Sequence, residues 1–167
     1  MRVIGGCAKG RKLKAVPGES TRPILDRVKT PLFDVLRPKL AGAVVLDLFA
    51  GSGSVGIEAL SQGAAKCIFL DTAKAAIETI RDNLEIVDLV KAAEVRHTDA
   101  FSYLRSTSKS FDLIYVAPPQ YKNLWVEALQ TIAERPQILR AGGTVVAQID
   151  PKEYEILQLK ELSESDR

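Results

Sequence analysis

The sequence predicts a doubly wound α/β fold of the Rossmann-like type, a mostly parallel sheet with helices on both faces. From residue 43 onward, short apolar runs alternate regularly with segments of helical periodicity. The first apolar run, over 44–49, breaks into a glycine-rich turn and then a helical segment. The 167 residues suffice for one core of ordinary domain size. Sheets of this kind bind ligands at the carboxyl ends of their strands.

The individual elements follow from this alternation. The apolar runs predict five strands, at 44–49, 66–70, 93–96, 111–116 and 144–149. The segments between them predict helices at 53–62, 73–86, 100–105 and 123–134. Gly63 is placed to end the first of these helices. Gly142 and Gly143 are predicted to turn the chain into the last strand.

The first 40 residues have a different character. Glycines and a proline interrupt residues 1–18, which predicts a small hairpin or an extended arm. A helix is indicated next by the spacing of four apolar residues, Val28, Leu32, Val35 and Leu36. Pro31 then lies either in the first turn of a helix capped by Asp26 or Thr30, or at a kink.

The net charge of +2 hides a strong asymmetry. Residues 1–40 contain ten Lys or Arg and only three Asp or Glu, so the rest of the chain is acidic. We therefore divide the chain into a basic arm and helix, 1–40, and a Rossmann-like domain, 41–167. Segregated charge predicts that the arm meets a polyanion, and the alternative is a solvated basic terminus. The candidate contacts are Arg2, Lys9, Arg11, Lys12, Lys14, Arg22 and Arg27.

The glycine turn has the spacing Gly51-x-Gly53-x-x-Gly56. Such turns bind dinucleotides, phosphates or S-adenosylmethionine, and some bind nothing. Asp71, about 20 residues on at the end of the next apolar run, suits a ribose in either nucleoside. Asp47 favours S-adenosylmethionine, because a carboxylate at this end of the strand suits a cationic methionine group better than a pyrophosphate.

A second candidate site follows the fourth predicted strand, at Ala117-Pro118-Pro119. Prolines lack an N–H group, so they stiffen the turn and leave carbonyl oxygens free to accept hydrogen bonds. Free acceptors suit an exocyclic amine that must be held while it attacks an electrophile. The alternative interpretation is a stiff loop without chemistry.

At this point the chain resembles a known family, the RsmD-type methyltransferases, over nearly its whole length. The resemblance rests on several motifs: Arg2-Val-Ile-Gly-Gly6, Gly10-Arg-Lys-Leu13, Thr21-Arg-Pro23, Asp26-Arg-Val-Lys29, Asp47-Leu-Phe-Ala-Gly-Ser-Gly53 and Gly56-Ile-Glu-Ala-Leu60. It implies transfer of one methyl group from S-adenosylmethionine to N2 of a guanine in small-subunit ribosomal RNA, with the N-terminal arm on RNA. It also implies that Asp71 holds the ribose and Asp99 the adenine amine.

The resulting site predictions form two groups. The predicted cofactor residues are Asp47, Phe49, Gly51, Ser52, Gly53, Gly56, Asp71, Thr72, Asp99 and Ala100. The predicted catalytic turn consists of Ala117, Pro118, Pro119, Gln120 and Tyr121.

Two residues of this turn depart from the family pattern, which has Asp or Asn first and an aromatic residue after the prolines. Ala117 offers no side-chain acceptor, and Gln120 displaces the aromatic Tyr121 by one place. Either backbone carbonyls and Gln120 replace the missing acceptor, or the protein binds cofactor and RNA with weak or lost activity. A more remote alternative is an NAD-dependent oxidoreductase, which the glycines and Asp71 permit.

The remaining predictions concern the chain end, partners and location. Residues 154–162 predict one antiparallel strand without its usual partner, so we expect either a shortened chain or an open sheet edge. We expect ribosomal RNA or the small ribosomal subunit as partner, and a monomer that can pair through the open edge. No membrane-length apolar stretch, signal peptide or Cys/His metal spacing occurs, which predicts a cytoplasmic protein without metal.

Overall fold

A computed structural model of the chain describes residues 1–18, 26–119, 122–159 and 162–165. Five parallel strands form one sheet in the order β3-β2-β1-β4-β5. The strands are β1 (Val44–Asp47), β2 (Lys66–Asp71), β3 (Ala93–His97), β4 (Phe111–Val116) and β5 (Leu139–Ala147). The helices are α1 (Asp26–Leu36), α2 (Ser54–Ser61), α3 (Lys74–Ile86), α4 (Ala100–Ser106) and α5 (Leu124–Glu134).

The predicted α/β fold is confirmed. The strand order reverses between β1 and β4. The segments that follow these two strands therefore border the crevice at the carboxyl ends of the strands, where such sheets bind ligands. Two apolar cores cover the two faces of the sheet. One is formed with the N-terminal segment and helices α1, α2 and α3. The other is formed with α4 and α5.

The predictions for the last strand need correction. Strand β5 begins at Leu139 and runs through Gly142 and Gly143, which were predicted to precede it. The pairing of β4 with β5 shifts register here, and Gly142 has a φ of 76°. The glycines therefore form an irregularity within the strand, as in a β-bulge.

The antiparallel strand predicted over 154–162 is also wrong for the described residues of that range, which form no strand. A short 3₁₀ turn, Pro151–Glu153, precedes them. Leu157 and Leu162 pack against the core beneath α4 and α5. The apolar residues of this segment therefore bury themselves by direct packing instead of by pairing in the sheet.

Residues 1–14 form a small hairpin, hereafter the N-terminal hairpin. Arg2 and Lys12 pair in antiparallel fashion, and the Val3 N–H donates to the Arg11 carbonyl at 2.9 Å. The side chains of Val3, Ala8 and Leu13 are buried in the same core as α1 and α2. The hairpin is therefore packed onto the sheet domain by its apolar side chains.

Helix α1 is formed as predicted, with Pro31 in its second turn. The face of α1 that is buried is not the face that carries Val28 and Val35. Val28 and Val35 are exposed, whereas Lys29, Phe33 and Leu36 are buried. A lysine can occupy such a position only when its ammonium group is paired, because an unpaired buried charge is costly.

The partner of Lys29 is Glu58 on α2. The Lys29 Nζ atom lies 3.0 Å from Glu58 Oε1, and neither side chain is exposed to solvent. Lys29 also donates to the Arg2 carbonyl at 2.8 Å and to Ser54 Oγ at 3.0 Å. Glu58 accepts from the backbone N–H groups of Ile4 and Gly5, at 2.8 and 3.0 Å. One buried charge pair thus joins the N-terminal hairpin, α1 and α2.

We expect Lys29→Met to lower the free energy of unfolding by about 3–5 kcal/mol, because it leaves the Glu58 carboxylate buried without its counter-ion. Urea unfolding followed by circular dichroism measures this. Lys74→Met is the control, because the Lys74–Glu78 pair is exposed and 4.0 Å long. The double variant Lys29→Met/Glu58→Gln should recover part of the loss. Equal effects of the lysine variants at positions 29 and 74 would contradict this account.

Candidate active site

The glycine loop connects β1 to α2 beneath the N-terminal hairpin. Gly53 precedes α2 with a φ of 82°, a left-handed conformation that side chains disfavour. Gly56 lies in the first turn of α2 against β2. A Cβ atom there would lie 2.3 Å from Phe69 Cε1 and 2.7 Å from Cys67 Sγ. Gly53 therefore permits the turn, and Gly56 permits close packing of the helix on the strand.

Asp47 ends β1 and is 1% exposed, yet neither of its carboxylate oxygens has a hydrogen-bond partner among the described residues. Burial raises the pKa of Asp47 from 3.8 to about 7, and the nearby charge of Asp71 adds to the rise. The nearby Gly56 backbone amide lowers the pKa of Asp47 by a smaller amount, although it is not positioned to form a hydrogen bond with the carboxylate. A buried carboxylate without a partner is costly unless a cation joins it, so this position fits a cationic ligand.

Asp71 ends β2 and fastens the glycine loop. Its Oδ2 atom accepts from the Gly51 N–H at 2.9 Å, and its Oδ1 atom accepts from the Ala73 N–H at 2.9 Å. Each carboxylate oxygen can accept more than one hydrogen bond. Asp71 can therefore hold the loop and still accept from the hydroxyl groups of a ribose.

Ser52, at the middle of the loop, is held by a residue that sequence reasoning missed. Asn83 on α3 is fully buried, and its Nδ2 atom donates to the Ser52 carbonyl at 2.9 Å. The Ser52 hydroxyl contacts Met1 Sδ at 3.5 Å. The signal in the sequence was an amide on the apolar side of α3, one residue before the buried Leu84.

The other predicted cofactor residues follow the carboxyl ends of β1, β2 and β3. Asp99 caps α4 by accepting from the Ser102 N–H at 2.9 Å, and its Oδ1 atom makes no hydrogen bond within the described chain. Phe49 stands edge-on to Phe101, with 6.1 Å between the ring centroids. Two further positions complete the group: the Thr72 carbonyl lies 2.8 Å from His97 Nε2, and Ala100 is buried at the start of α4.

The diproline turn lies beside the glycine loop. Tyr115 on β4 is paired in register with Asp47 on β1, so Ala117 leaves the sheet next to the orphaned carboxylate. Ala117 and Pro118 are half-buried. Their carbonyl oxygens accept no hydrogen bond from the part of the chain that the structure describes. This arrangement places unused acceptors one strand away from the glycine loop.

Two residues of the predicted turn, Gln120 and Tyr121, lie outside the described residues. The aromatic residue that follows in the described chain, Trp125, is 4% exposed and packs in the core formed with α4 and α5, so it is not available to stack on a base. A pair that the sequence did not suggest lies close to the turn: the Tyr115 hydroxyl donates to Gln148 Oε1. Burial, and to a smaller extent the charge of Asp47, raises the pKa of Tyr115, so its hydroxyl remains a donor.

The predicted polyanion contacts are mostly at the surface. The exposed ones are Arg2, Lys9, Arg11, Lys12, Lys14 and Arg27, whereas Arg22 lies outside the described residues. Arg11 donates to the Ile86 carbonyl at 2.6 Å, and Lys14 lies 3.5 Å from Asp82. The side chains of Lys9 and Lys12 make no contact of this kind with the described residues.

Comparison with known proteins identifies the family. A family model described as "Conserved hypothetical protein 95" matches residues 1–167. YlbH of Bacillus subtilis strain 168, provisionally named an rRNA methyltransferase, is 46% identical over 153 residues, 90% of this chain and 83% of the relative. The ribosomal RNA small subunit methyltransferase D of Haemophilus influenzae is 36% identical over 137 residues, 80% of this chain and 71% of the relative. The chain belongs to the RsmD-type family of ribosomal RNA methyltransferases.

The solved structures agree with this family. YhhF of Escherichia coli, provisionally described as a methyltransferase, superposes with a TM-score of 0.81 at 32% identity, covering 92% of this chain and 84% of that one. Membership confirms the resemblance and, with it, the predicted cofactor, S-adenosylmethionine. None of the described helices is long and apolar enough to cross a membrane. Over the same residues, the structure has no cluster of His, Cys, Asp and Glu suited to a metal ion.

Gly56→Ala should lower the free energy of unfolding by about 1–3 kcal/mol, because the added methyl group meets Phe69 and Cys67 within a packed core. Urea unfolding measures the change. Gly5→Ala is the control, since its methyl group would meet only the side chain of Gln62, at 3.1 Å, which is a looser contact than the 2.3 Å at Gly56. Phe69→Leu should make the Gly56→Ala change less costly. Strict additivity of the two changes would contradict the predicted clash.

Asp47 should make the ligand-free protein less stable as the pH rises. The folded state keeps the Asp47 proton up to about pH 7, whereas the unfolded chain releases it near 3.8. The folded state thus binds more protons in this window, so the free energy of unfolding falls with rising pH, by on the order of 4 kcal/mol in total. Asp47→Asn should remove that fall. Urea unfolding at pH values from 4.5 to 7.5 gives the difference between variant and wild type, and a difference independent of pH would refute the prediction.

Proposed function

We propose that this protein transfers a methyl group from S-adenosylmethionine to the exocyclic N2 of a guanine in small-subunit ribosomal RNA. One observation carries the proposal. The buried carboxylate of Asp47, which has no hydrogen-bond partner in the described part of the chain, lies one strand away from a turn whose carbonyl oxygens no described residue uses. The first position suits a cationic cofactor, and the second suits an amine nucleophile. Relatives named ribosomal RNA small subunit methyltransferase D support the class of substrate.

The residues that would hold the cofactor lie at the ends of three neighbouring strands. Asp47 would face its cationic methionine part, Asp71 would accept from the ribose hydroxyls, and Asp99 Oδ1 would accept from the adenine amine. Phe49 adds apolar surface beside them. When bound, S-adenosylmethionine supplies an electrophilic methyl group, so the chain's own task is to bind and orient the two reactants.

The diproline turn would orient the nucleophile. The guanine amine is a weak nucleophile because its lone pair is delocalised into the ring. The carbonyl oxygens of Ala117 and Pro118 would accept hydrogen bonds from its N–H groups and stabilise the positive charge that develops on nitrogen. The methylated amine would release its proton to water. His97 is not required as a base, and its Nε2 atom is engaged with the Thr72 carbonyl.

The N-terminal hairpin would bind the RNA backbone through its exposed basic side chains. It packs above the glycine loop, so RNA held there lies near the predicted catalytic turn. A guanine must leave its stack to enter such a site. We propose Tyr121 as the aromatic residue on which it would stack.

A second candidate function is a relative that binds cofactor and RNA with weak or lost activity. Ala117 favours it, because the family's side-chain acceptor is absent at this position. The unused backbone acceptors of the same turn favour the active enzyme. Nothing in the family relationship supports the nicotinamide-dependent alternative.

Methyl transfer decides between these functions. Unmodified small ribosomal subunits, and separately their naked RNA, are incubated with S-adenosylmethionine carrying a tritiated methyl group, and the modified nucleoside is identified after digestion. We expect label in N2-methylguanosine. Label in another nucleoside would refute the predicted substrate atom. Cofactor binding without label would establish the inactive alternative.

Ala117→Asp tests the role of the turn in the same assay. If the backbone carbonyls suffice, this variant should keep or exceed the wild-type rate, because it adds an acceptor at the same place. If the wild-type chain is inactive, the variant should create activity. A large loss of rate with unchanged cofactor binding would contradict the assignment of this turn to the amine.

A further inference from the structure

Two buried polar side chains connect the N-terminal hairpin to the glycine loop. The first is Lys29, whose ammonium group donates to the Arg2 carbonyl at 2.8 Å and to Ser54 Oγ at 3.0 Å. Arg2 belongs to the first strand of the hairpin, and Ser54 is the first residue of α2, directly after Gly53 of the loop. Lys29 therefore touches both structures at once, with its remaining donor directed to Glu58.

The second connection is Asn83. Its Oδ1 atom accepts from the Lys14 N–H at 2.8 Å, and its Nδ2 atom donates to the Lys14 carbonyl at 3.0 Å and to the Ser52 carbonyl at 2.9 Å. Asn83 is fully buried, so water cannot replace these partners without rearrangement. The second strand of the hairpin is thus bonded to the middle of the loop through one amide.

These bonds make the position of the hairpin and the geometry of the loop interdependent. If the hairpin moved away, Lys29, Glu58 and Asn83 would each retain a buried polar group with a lost partner. Such groups are costly, so the three side chains would shift and take Ser52 and Ser54 with them. The docked hairpin and the ordered loop therefore favour each other.

The residues at the hairpin end of both connections are also proposed RNA contacts. Arg2 and Lys14 have exposed side chains, whereas their backbone groups make the buried bonds to Lys29 and Asn83. A polyanion that neutralises these side chains would hold the same backbone in place. RNA bound to the outward side of the hairpin would thus stabilise the glycine loop beneath it.

We propose that Lys29 and Asn83 are positioning residues that couple RNA binding on the N-terminal hairpin to cofactor binding at the glycine loop, so that each ligand tightens the other. This inference rests on the proposed function, because it takes the hairpin as the RNA contact. Coupling of this kind is reciprocal, and typical values change an affinity about 5-fold or more.

The test measures the dissociation constant of S-adenosylhomocysteine by calorimetry, with and without an in vitro transcript of small-subunit ribosomal RNA. We expect the transcript to lower this constant at least about 5-fold in the wild-type protein. Ser54→Ala and Asn83→Ala each remove a connection at or near the loop, and each should bring the ratio closer to one. The double variant should bring the ratio to one.

Ser61→Ala is the matched control. The Ser61 hydroxyl donates to the Gly5 carbonyl at 2.6 Å and accepts from the Ala8 N–H at 2.9 Å, so it also fastens the hairpin. It makes no contact with the glycine loop. This variant should lose stability and keep the wild-type ratio. If the ratio of dissociation constants falls equally in the Ser61→Ala and Ser54→Ala variants, the bonds to the loop only stabilise the fold, and the inference is overturned.

Amide hydrogen exchange gives a second measurement that needs no RNA. S-adenosylhomocysteine should slow exchange at the Ile4 and Lys14 amides, which bond to Glu58 and Asn83. The protection at Ile4 should disappear in the Ser54→Ala variant, which is expected to fold because it loses one hydroxyl group. No protection of either amide in the wild-type protein would overturn the inference even if Asn83→Ala fails to fold.

A charge variant separates failure of this inference from failure of the proposed function. Lys9→Glu/Lys12→Glu should weaken binding of the transcript at least about 10-fold, because each lost phosphate contact removes counter-ion release. Arg105→Glu, an exposed position on α4 at the face of the sheet opposite the hairpin, should leave binding unchanged. Unchanged binding in the hairpin variant would refute the proposed RNA contact. Hairpin-dependent binding with an affinity ratio of one would refute the coupling alone.

Discussion

The organisation of the N-terminal third depends on the cost of burying a charge. Lys29 has no exposed surface, and its ammonium group is tolerated only because a carboxylate, a carbonyl and a hydroxyl surround it. Lys29 itself lies on α1, and its partners come from the N-terminal hairpin and from α2, whose first residue, Ser54, directly follows the glycine loop. The pair with Glu58 therefore specifies how three separate segments meet, a role in which directional hydrogen bonds are more selective than apolar contact.

Asp47 presents the opposite situation a short distance away. Its carboxylate is equally buried but has no partner, and burial raises its pKa to about 7. Every donor of Lys29 is satisfied, as expected of a residue that stabilises the fold. Both oxygens of Asp47 lack partners among the described residues, as expected of a residue that awaits a ligand. Under the proposed function, the stability lost at Asp47 keeps a place for the cationic part of the cofactor. Asp71 would serve both purposes, because it holds the loop and keeps lone pairs for a ligand.

Much of this arrangement could be predicted from local patterns. The glycine spacing, the acidic residues at two strand ends and the alternation of strands and helices are properties of short segments, and they identified the fold and the crevice. Lys29 was counted only as one of the ten basic residues in 1–40, because nothing near it in the sequence shows that Glu58 would meet it. Asn83 and Gln148 were missed for the same reason, since their partners are distant in sequence. The glycines of β5 read as a turn because a bulge uses the same residues.

The N-terminal hairpin has a consequence for the order of events during synthesis. Residues 1–14 leave the ribosome before the groups that fasten them, on Glu58, Ser61 and Asn83, have been added. Until Asn83 has emerged, the surface on which the hairpin docks is incomplete. The hairpin is therefore synthesised early and reaches its final place late.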